Sequence, residues 1–291
     1  MNPLLTVVIP IYNEEESLSI FLPEVVNHCN QKGYLVIAVN DGSNDNSSGI
    51  LKVFESKHSN IKVLTNKVNR GYGGALKRGV KETTTKYVIT IDADGQHYLS
   101  DVDYLLDEMI TTDADMIVGS RKGQVSASLI RGMGKSIIRF IAKLLMKVPI
   151  YDINSGMKIY DAKLAKSYLN LTPDTMAYSD IITLIFINNR RYVLERSIKI
   201  KDRLRGKSTI GFRTAFETVL EIINIIILFN PLKIFLPLAV FCFLFGLGWG
   251  IFIFIQGMGI STGASTLILS GLLIFLLGLI AEQLSSLRKN R

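Results

Sequence analysis

Two carboxylates one residue apart, Asp92 and Asp94 in TIDADGQHYL, follow an apolar β-branched run at 87–91 and precede Gly95. Like charges at that spacing destabilise each other unless water or a cation stands between them. The pair therefore reads as a solvated Asp-Gly turn or as part of a metal site. Donor types narrow the metal. An EF-hand is excluded, because its glycine position holds His97 and no matching Glu follows. A structural zinc site is disfavoured by the lack of nearby cysteine. Magnesium or manganese suits the pair, since these ions take few carboxylates and complete their shells with water and substrate phosphates. Gln96 can add an amide oxygen.

Two further stretches carry chemistry. VNDGS at 39–43 ends another apolar run, and its Asp41 can accept a hydrogen bond from a nucleobase N–H, although a plain turn also explains these residues. NRGYGGA at 69–75 misses the dinucleotide spacing G-x-G-x-x-G, because Leu76 stands at the last position. It is expected instead to present backbone N–H groups at a helix N-terminus, with Lys77 and Arg78 close by, around an anion.

The elements that must hold these residues alternate. Apolar runs at 5–10, 34–39, 61–64, 87–91 and 116–119 predict strands, and segments 17–30, 47–57, 74–83 and 101–111 predict helices. Such alternation gives an α/β fold with a mostly parallel sheet and helices on both faces. Ligands bind such sheets outside the carboxyl ends of the strands, where both Asn40–Ser43 and Asp92–Gln96 fall.

The rest of the chain points to a membrane. It has 291 residues, is 48% hydrophobic and carries a net charge of +8. Segments 234–255 and 264–281 each approach the ~20 apolar residues that cross a bilayer core and predict a transmembrane hairpin. Lys233, Arg288, Lys289 and Arg291 flank it, and the connecting loop has no positive charge. Positive flanks stay cytoplasmic, which places both termini there. Residues 1–11 lack a basic stretch followed by a long apolar run, so no signal peptide is expected. In 131–147, Arg131, Lys135, Arg139, Lys143 and Lys147 recur every fourth residue opposite an apolar face, the pattern of an interfacial amphipathic helix. A juxtamembrane helix is expected at 211–231. Because the basic excess gathers near these segments, nucleic acid is excluded as partner. Charge-free spans disfavour a channel. Cys29 and Cys242 are not expected to pair, which fits a reducing cytoplasm. Gly246 and Gly250 are the small residues through which the hairpin could build a homo-oligomer.

In order, VVIPIYNEEESL, VNDGS, NRGYGGALKRG, DADGQH, VGSR, DINSGMKIY and RLRGKS resemble family 2 glycosyltransferases of the GT-A fold, in the polyprenyl-phosphate hexose transferase branch. The resemblance implies a GT-A catalytic domain over 1–210, followed by the membrane hairpin over 232–291. It implies that Pro10, Tyr12 and Glu14 line a nucleotide pocket, that Asp41 reads the base, and that Gly74, Lys77 and Asp92 also serve the donor. Asp92, Asp94 and Gln96 would hold Mg2+ or Mn2+. Arg121, Arg203, Arg205 and Lys207 would bind the acceptor phosphate, and Asp94, Arg121, Arg205 and Asp180 would form the catalytic group. The implied reaction is inverting transfer of a hexose from a nucleotide-diphosphate sugar, UDP-linked by family precedent, to undecaprenyl phosphate at the cytoplasmic face of a bacterial inner membrane. A phosphate monoester with a second pKa of ~6 is already mostly ionised at pH 7, so that acceptor requires no general base. The alternative acceptor is a sugar hydroxyl of a lipid-linked glycan, with Asp180 as base.

Overall fold

The computed structural model describes residues 3–121, 149–201 and 230–289, with positions 223 and 227. The chain divides into two compact units, Met1–Thr218 and Val219–Arg291. The basic segment 131–147, the cations Arg203, Arg205 and Lys207, and nearly all of 211–231 lie outside the described residues.

In the first unit the strands are β1 (Leu5–Ile11), β2 (Leu35–Asn40), β3 (Ile61–Thr65), β4 (Tyr87–Thr90), β5 (Met116–Ser120), β6 (Lys158–Asp161) and β7 (Val193–Ser197). The helices are α1 (Glu15–Lys32), α2 (Ser47–Lys57), α3 (Tyr72–Glu82), α4 (Leu99–Thr112), α5 (Ala162–Tyr168) and α6 (Tyr178–Asn188). They build one sheet in the order β3-β2-β1-β4-β6-β5-β7. Every pairing is parallel except those of β6, which runs antiparallel to β4 and to β5. All five predicted strands and four predicted helices form. Among the described residues after 150, β6, α5, a short 3-10 helix at Leu169–Leu171, α6 and β7 had no sequence expectation.

The central strands are apolar throughout because both faces of the sheet are covered. On one face, Leu5, Val7, Ile9 and Ile159 pack with Phe21, Leu22 and Val25 of α1 and with Leu105 and Met109 of α4. On the other, α3 presses so close that a Cβ at Gly79 would stand 2.4 Å from Val8 Cγ1. Helix α1 starts with Glu15 and Glu16 and ends with Lys32, charges that complement its dipole. Gly33 closes it in the left-handed conformation, its N–H reaching back to Asn30 O while the Tyr34 N–H reaches Cys29 O. Cys29 is buried, and both cysteines are free.

The second unit is a hairpin of α7 (Leu232–Ile255) and α8 (Thr262–Lys289), both long and apolar enough to cross a membrane. Its seam is built on small residues. A Cβ at Gly246 would lie 3.0 Å from Ala264 O, one at Gly271 2.9 Å from Ala239 O, and one at Gly278 2.7 Å from Phe235 Cβ. The helices therefore approach backbone to backbone, as small-residue packing allows. Gly246 and Gly250, the small residues through which the hairpin could have built an assembly, lie in its own seam, Gly250 towards Ala264 Cβ. The outward surface is made of large side chains such as Phe241, Phe252, Phe254 and Leu273.

Candidate active site

Six of the seven strands share one direction, so the loops after β1, β2, β4, β5 and β7 meet at one edge of the sheet. Antiparallel β6 starts at that same edge. The expected site residues of the described segments are distributed along it.

The loop after β1 is stitched to the loop after β2. Asn13 adopts a left-handed conformation, φ 54°, which Asn tolerates better than most residues. Its N–H donates to Ser43 Oγ at 3.0 Å, and its Oδ1 accepts from Asn44 N at 2.8 Å. The Glu14 N–H donates to Ser47 Oγ at 3.1 Å, and the Glu14 carboxylate accepts from Ser17 Oγ. Pro10 lies opposite Val39 in the β1–β2 register, and Tyr12 is exposed on the rim. Pro10, Tyr12, Glu14 and Asp41 are thereby brought to one corner. Asp41 is buried, and its carboxylate accepts from Asn66 Nδ2 at 2.6 Å, Arg70 N at 3.0 Å and Gly71 N at 2.8 Å. With about four acceptor positions on a carboxylate, these donors engage most of its capacity. Asp41 fixes the 66–71 loop.

The glycine-rich stretch differs from expectation. The N–H groups of its glycines are taken up by the protein itself. Gly73 N donates to Thr175 O and Gly74 N to Asp174 O, each at 3.1 Å. Gly71 N is engaged by Asp41 and by Asn69 Oδ1. The two cations are engaged as well. Lys77 Nζ donates to Asp174 Oδ1 and Thr172 O, and Arg78 Nη1 donates to Thr65 O and Asn66 Oδ1. The glycines serve close approach by segment 173–175: a Cβ at Gly73 would meet Pro173 O at 2.5 Å and Thr175 O at 2.7 Å. Gly74 and Lys77 thus belong to a packed loop contact, in place of the expected donor cradle.

Asp92, just beyond β4, has a side chain 34% exposed. Its Oδ1 accepts from the Tyr72 hydroxyl at 2.8 Å, and its Oδ2 lies 3.6 Å from His97 Nε2. Gly156 leaves room for it, since a Cβ there would stand 2.2 Å from Asp92 Oδ2 and displace the carboxylate. Burial pushes the Asp92 carboxyl up, but His97, Tyr72 and Arg121 together outweigh it and hold the group below the usual carboxylate range. Asp94 is buried, with Oδ1 accepting from Gln96 N at 3.1 Å. The Gln96 side chain reaches Lys201 O through Nε2. No group of three His, Cys, Asp or Glu side chains converges as a metal cage among the described residues. A hard divalent cation that needs only one or two carboxylates beside substrate oxygens fits the oxygen donors of Asp92 and Asp94.

Arg121, just after β5, is forked by Asp152, with Nε to Oδ2 at 2.7 Å and Nη2 to Oδ1 at 2.8 Å. Nη2 also donates to Asn154 O. Asp152 is in turn steadied by Glu195 of β7, whose Oε1 accepts its N–H at 2.9 Å. Nη1 is the part of the guanidinium outside this fork. Asp180 sits in the first turn of α6, 2% exposed. Nearby, the Lys158 ammonium donates to Ile153 O at 2.6 Å and to Ser179 O. Tyr72, His97, Asp152 and Lys158 had no assigned role from sequence. The available signal was a lysine between the apolar residues Met157 and Ile159 in DINSGMKIY.

Comparison with known proteins was consistent along the chain. Residues 6–169 match the model of Glycosyl transferase family 2, and residues 230–287 match that of the GtrB C-terminal hairpin. A dolichyl-phosphate beta-glucosyltransferase of Dictyostelium discoideum is 30% identical over 184 residues, covering 57% of this chain and 56% of that protein. The chain thus spans little more than half of that relative's length. An undecaprenyl-phosphate 4-deoxy-4-formamido-L-arabinose transferase of Edwardsiella ictaluri is 26% identical over 223 residues, covering 75% and 66%. Among solved structures, glucosyl-3-phosphoglycerate synthase of Mycobacterium tuberculosis in complex with Mg2+ and UDP superposes with a TM-score of 0.58 at 16% identity, covering 77% and 79%. At that identity the likeness is one of fold.

Proposed function

The chain belongs to glycosyl transferase family 2, and from that premise we propose that it moves a hexose from a nucleotide-diphosphate sugar, UDP-linked, to a polyprenyl phosphate at a membrane surface. The observation that carries the proposal is the convergence, at one end of the parallel sheet, of Asp92 with its Tyr72 and His97 neighbours, the Asp41-ordered nucleotide corner, and Arg121. The acceptor class is supported by relatives that use dolichyl and undecaprenyl phosphates and by the apolar hairpin. A polyprenyl tail stays in the bilayer with its phosphate at the surface, so a membrane-bound enzyme meets its acceptor there.

In the reaction proposed, an acceptor phosphate oxygen attacks the anomeric carbon. The bond from that carbon to the donor's diphosphate breaks, and a nucleoside diphosphate leaves with the electron pair. A single displacement inverts the anomeric centre. Asp92 and Asp94, with Gln96, would hold Mg2+ or Mn2+, which when bound supplies positive charge beside the leaving diphosphate. Tyr72 orients the Asp92 carboxylate. Arg121 offers Nη1 to a phosphate while Asp152 keeps its plane fixed. Arg203, Arg205 and Lys207 are the further cations assigned to the acceptor. Pro10, Tyr12 and Glu14 form the nucleotide corner. The compartment proposed for the reaction is the cytoplasmic side of a bacterial inner membrane, as the rule that positive flanks stay cytoplasmic supports.

Radiolabelled hexose transfer from a panel of UDP- and GDP-sugars to undecaprenyl phosphate, in detergent with Mn2+ or with EDTA, tests this directly. The expected outcome is a chloroform-soluble product from one donor that disappears with EDTA. Asp92→Asn and Asp94→Asn should each reduce it by about 10²–10³-fold, the loss typical of removing a transition-state charge stabiliser. Failure of every donor, with nucleotide binding retained, would reject the lipid phosphate and favour a sugar hydroxyl. Asp180→Asn should then abolish turnover, whereas a phosphate acceptor leaves some.

A further inference from the structure

The sheet holds a lysine where an apolar residue would be ordinary. Lys158 opens β6, paired in register with Thr90 of β4 and Val118 of β5, and its side chain is completely enclosed. Lysine is almost never fully buried unless paired. Here the ammonium is held by two carbonyls from different parts of the chain. One is Ile153 O, in the connection that carries Asp152, the residue forking Arg121. The other is Ser179 O, in the first turn of α6, next to Asp180. The charged groups facing it are Asp180 on α6, Asp152 in the connection and Asp92 beyond β4, which favour its charge, and Arg121 beyond β5, which opposes it. Burying an ammonium is costly, and an apolar side chain of similar volume often stabilises as well or better. Fold stability alone therefore gives no reason for a lysine here, whereas placement does.

We propose that Lys158 is a positioning residue for hexose transfer: its ammonium locks the Asp152–Arg121 fork and the Asp180-bearing turn of α6 into one arrangement and balances the carboxylates gathered there. This rests on the transferase reading above. Being enclosed, Lys158 touches no substrate and acts through the Ile153 and Ser179 carbonyls and through its field on Asp180.

The test uses the full chain in detergent, with undecaprenyl phosphate as acceptor, comparing wild type, Lys158→Met, Lys158→Arg and the doubly neutral Lys158→Met/Asp180→Asn. Lys158→Met should lower kcat by about 100-fold, the scale of a small misplacement of reacting groups, while donor KM moves by less than about threefold. Lys158→Arg, which keeps the charge, should recover part of kcat. Hydrogen–deuterium exchange should quicken at 152–155 and 178–181 in Lys158→Met and stay unchanged in β1 and α1. Wild-type kcat in Lys158→Met, or unchanged exchange at those amides, overturns the proposal. If Lys158→Met does not fold, the double variant, which removes both charges, should restore a folded chain, and its failure to do so also overturns it. If wild type transfers no hexose from any donor, the transferase reading falls by itself, and the exchange comparison still decides whether Lys158 locks the two segments.

Discussion

Tyr72 and His97 approach different oxygens of Asp92, so the carboxylate's orientation is set before any ligand arrives. Tyr72→Phe removes one hydrogen bond to a charged group, worth roughly 1.5–3 kcal/mol. It should cut kcat by about tenfold or more and lower the melting temperature by several degrees, read by transfer assay and thermal unfolding. Lys158 makes a second prediction, on stability. Burial lowers its ammonium below the usual lysine value of 10.5, against the pull of Asp180 and Asp152. Between the folded and unfolded values the unfolded chain binds more protons at this position than the folded one, so stability rises with pH across that interval. The destabilisation is full at low pH, where both states carry the charge, and fades as pH approaches 10.5. Chemical denaturation at pH 6.5 and pH 9 should show a gain at the higher pH that Lys158→Met lacks. The two residue types differ in how visible they were. An Asp-x-Asp after a β-branched run announces itself by spacing, whereas Lys158 and Tyr72 gain meaning only from Ile153, Ser179 and Asp92, partners that no local pattern connects.

The first nine elements were readable because each carries a strong local signal: uninterrupted apolar runs for strands buried on both faces, and 3.6-residue periodicity for the helices between them. The later ones were not. β6 is only Lys-Ile-Tyr-Asp, too short and too charged to resemble a buried strand, and it joins the sheet because β4 and β5 supply partners on both sides. The α3 N-terminus was misjudged for a related reason. Its glycines resemble a phosphate cradle locally, but segment 173–175, a hundred residues later, takes up their N–H groups. That contact predicts a packing defect in Gly73→Ala, since the added methyl meets two carbonyl oxygens. The expected loss is about 1–3 kcal/mol, measured by denaturant unfolding, with the larger functional effect falling on donor KM because Tyr72 starts the same helix.

At the scale of the molecule, the hairpin's large outward side chains and glycine-lined seam make it a self-contained pair of helices. The protein should remain in the membrane fraction after washing at high salt and alkaline pH and require detergent for release; recovery in the soluble wash would contradict membrane insertion. Two apolar segments of this length are also the part of the chain read most directly from sequence, because a bilayer selects on composition and length alone. The reversed strand has a different consequence. Since β5 leaves the sheet beside the point where β6 enters it, Arg121 and Asp152 clasp two strand ends that lie far apart in the chain. A clasp at that point fixes where the reversed strand enters the sheet, so loosening it would be felt at Gly156, whose bare Cα lies against the Asp92 carboxylate.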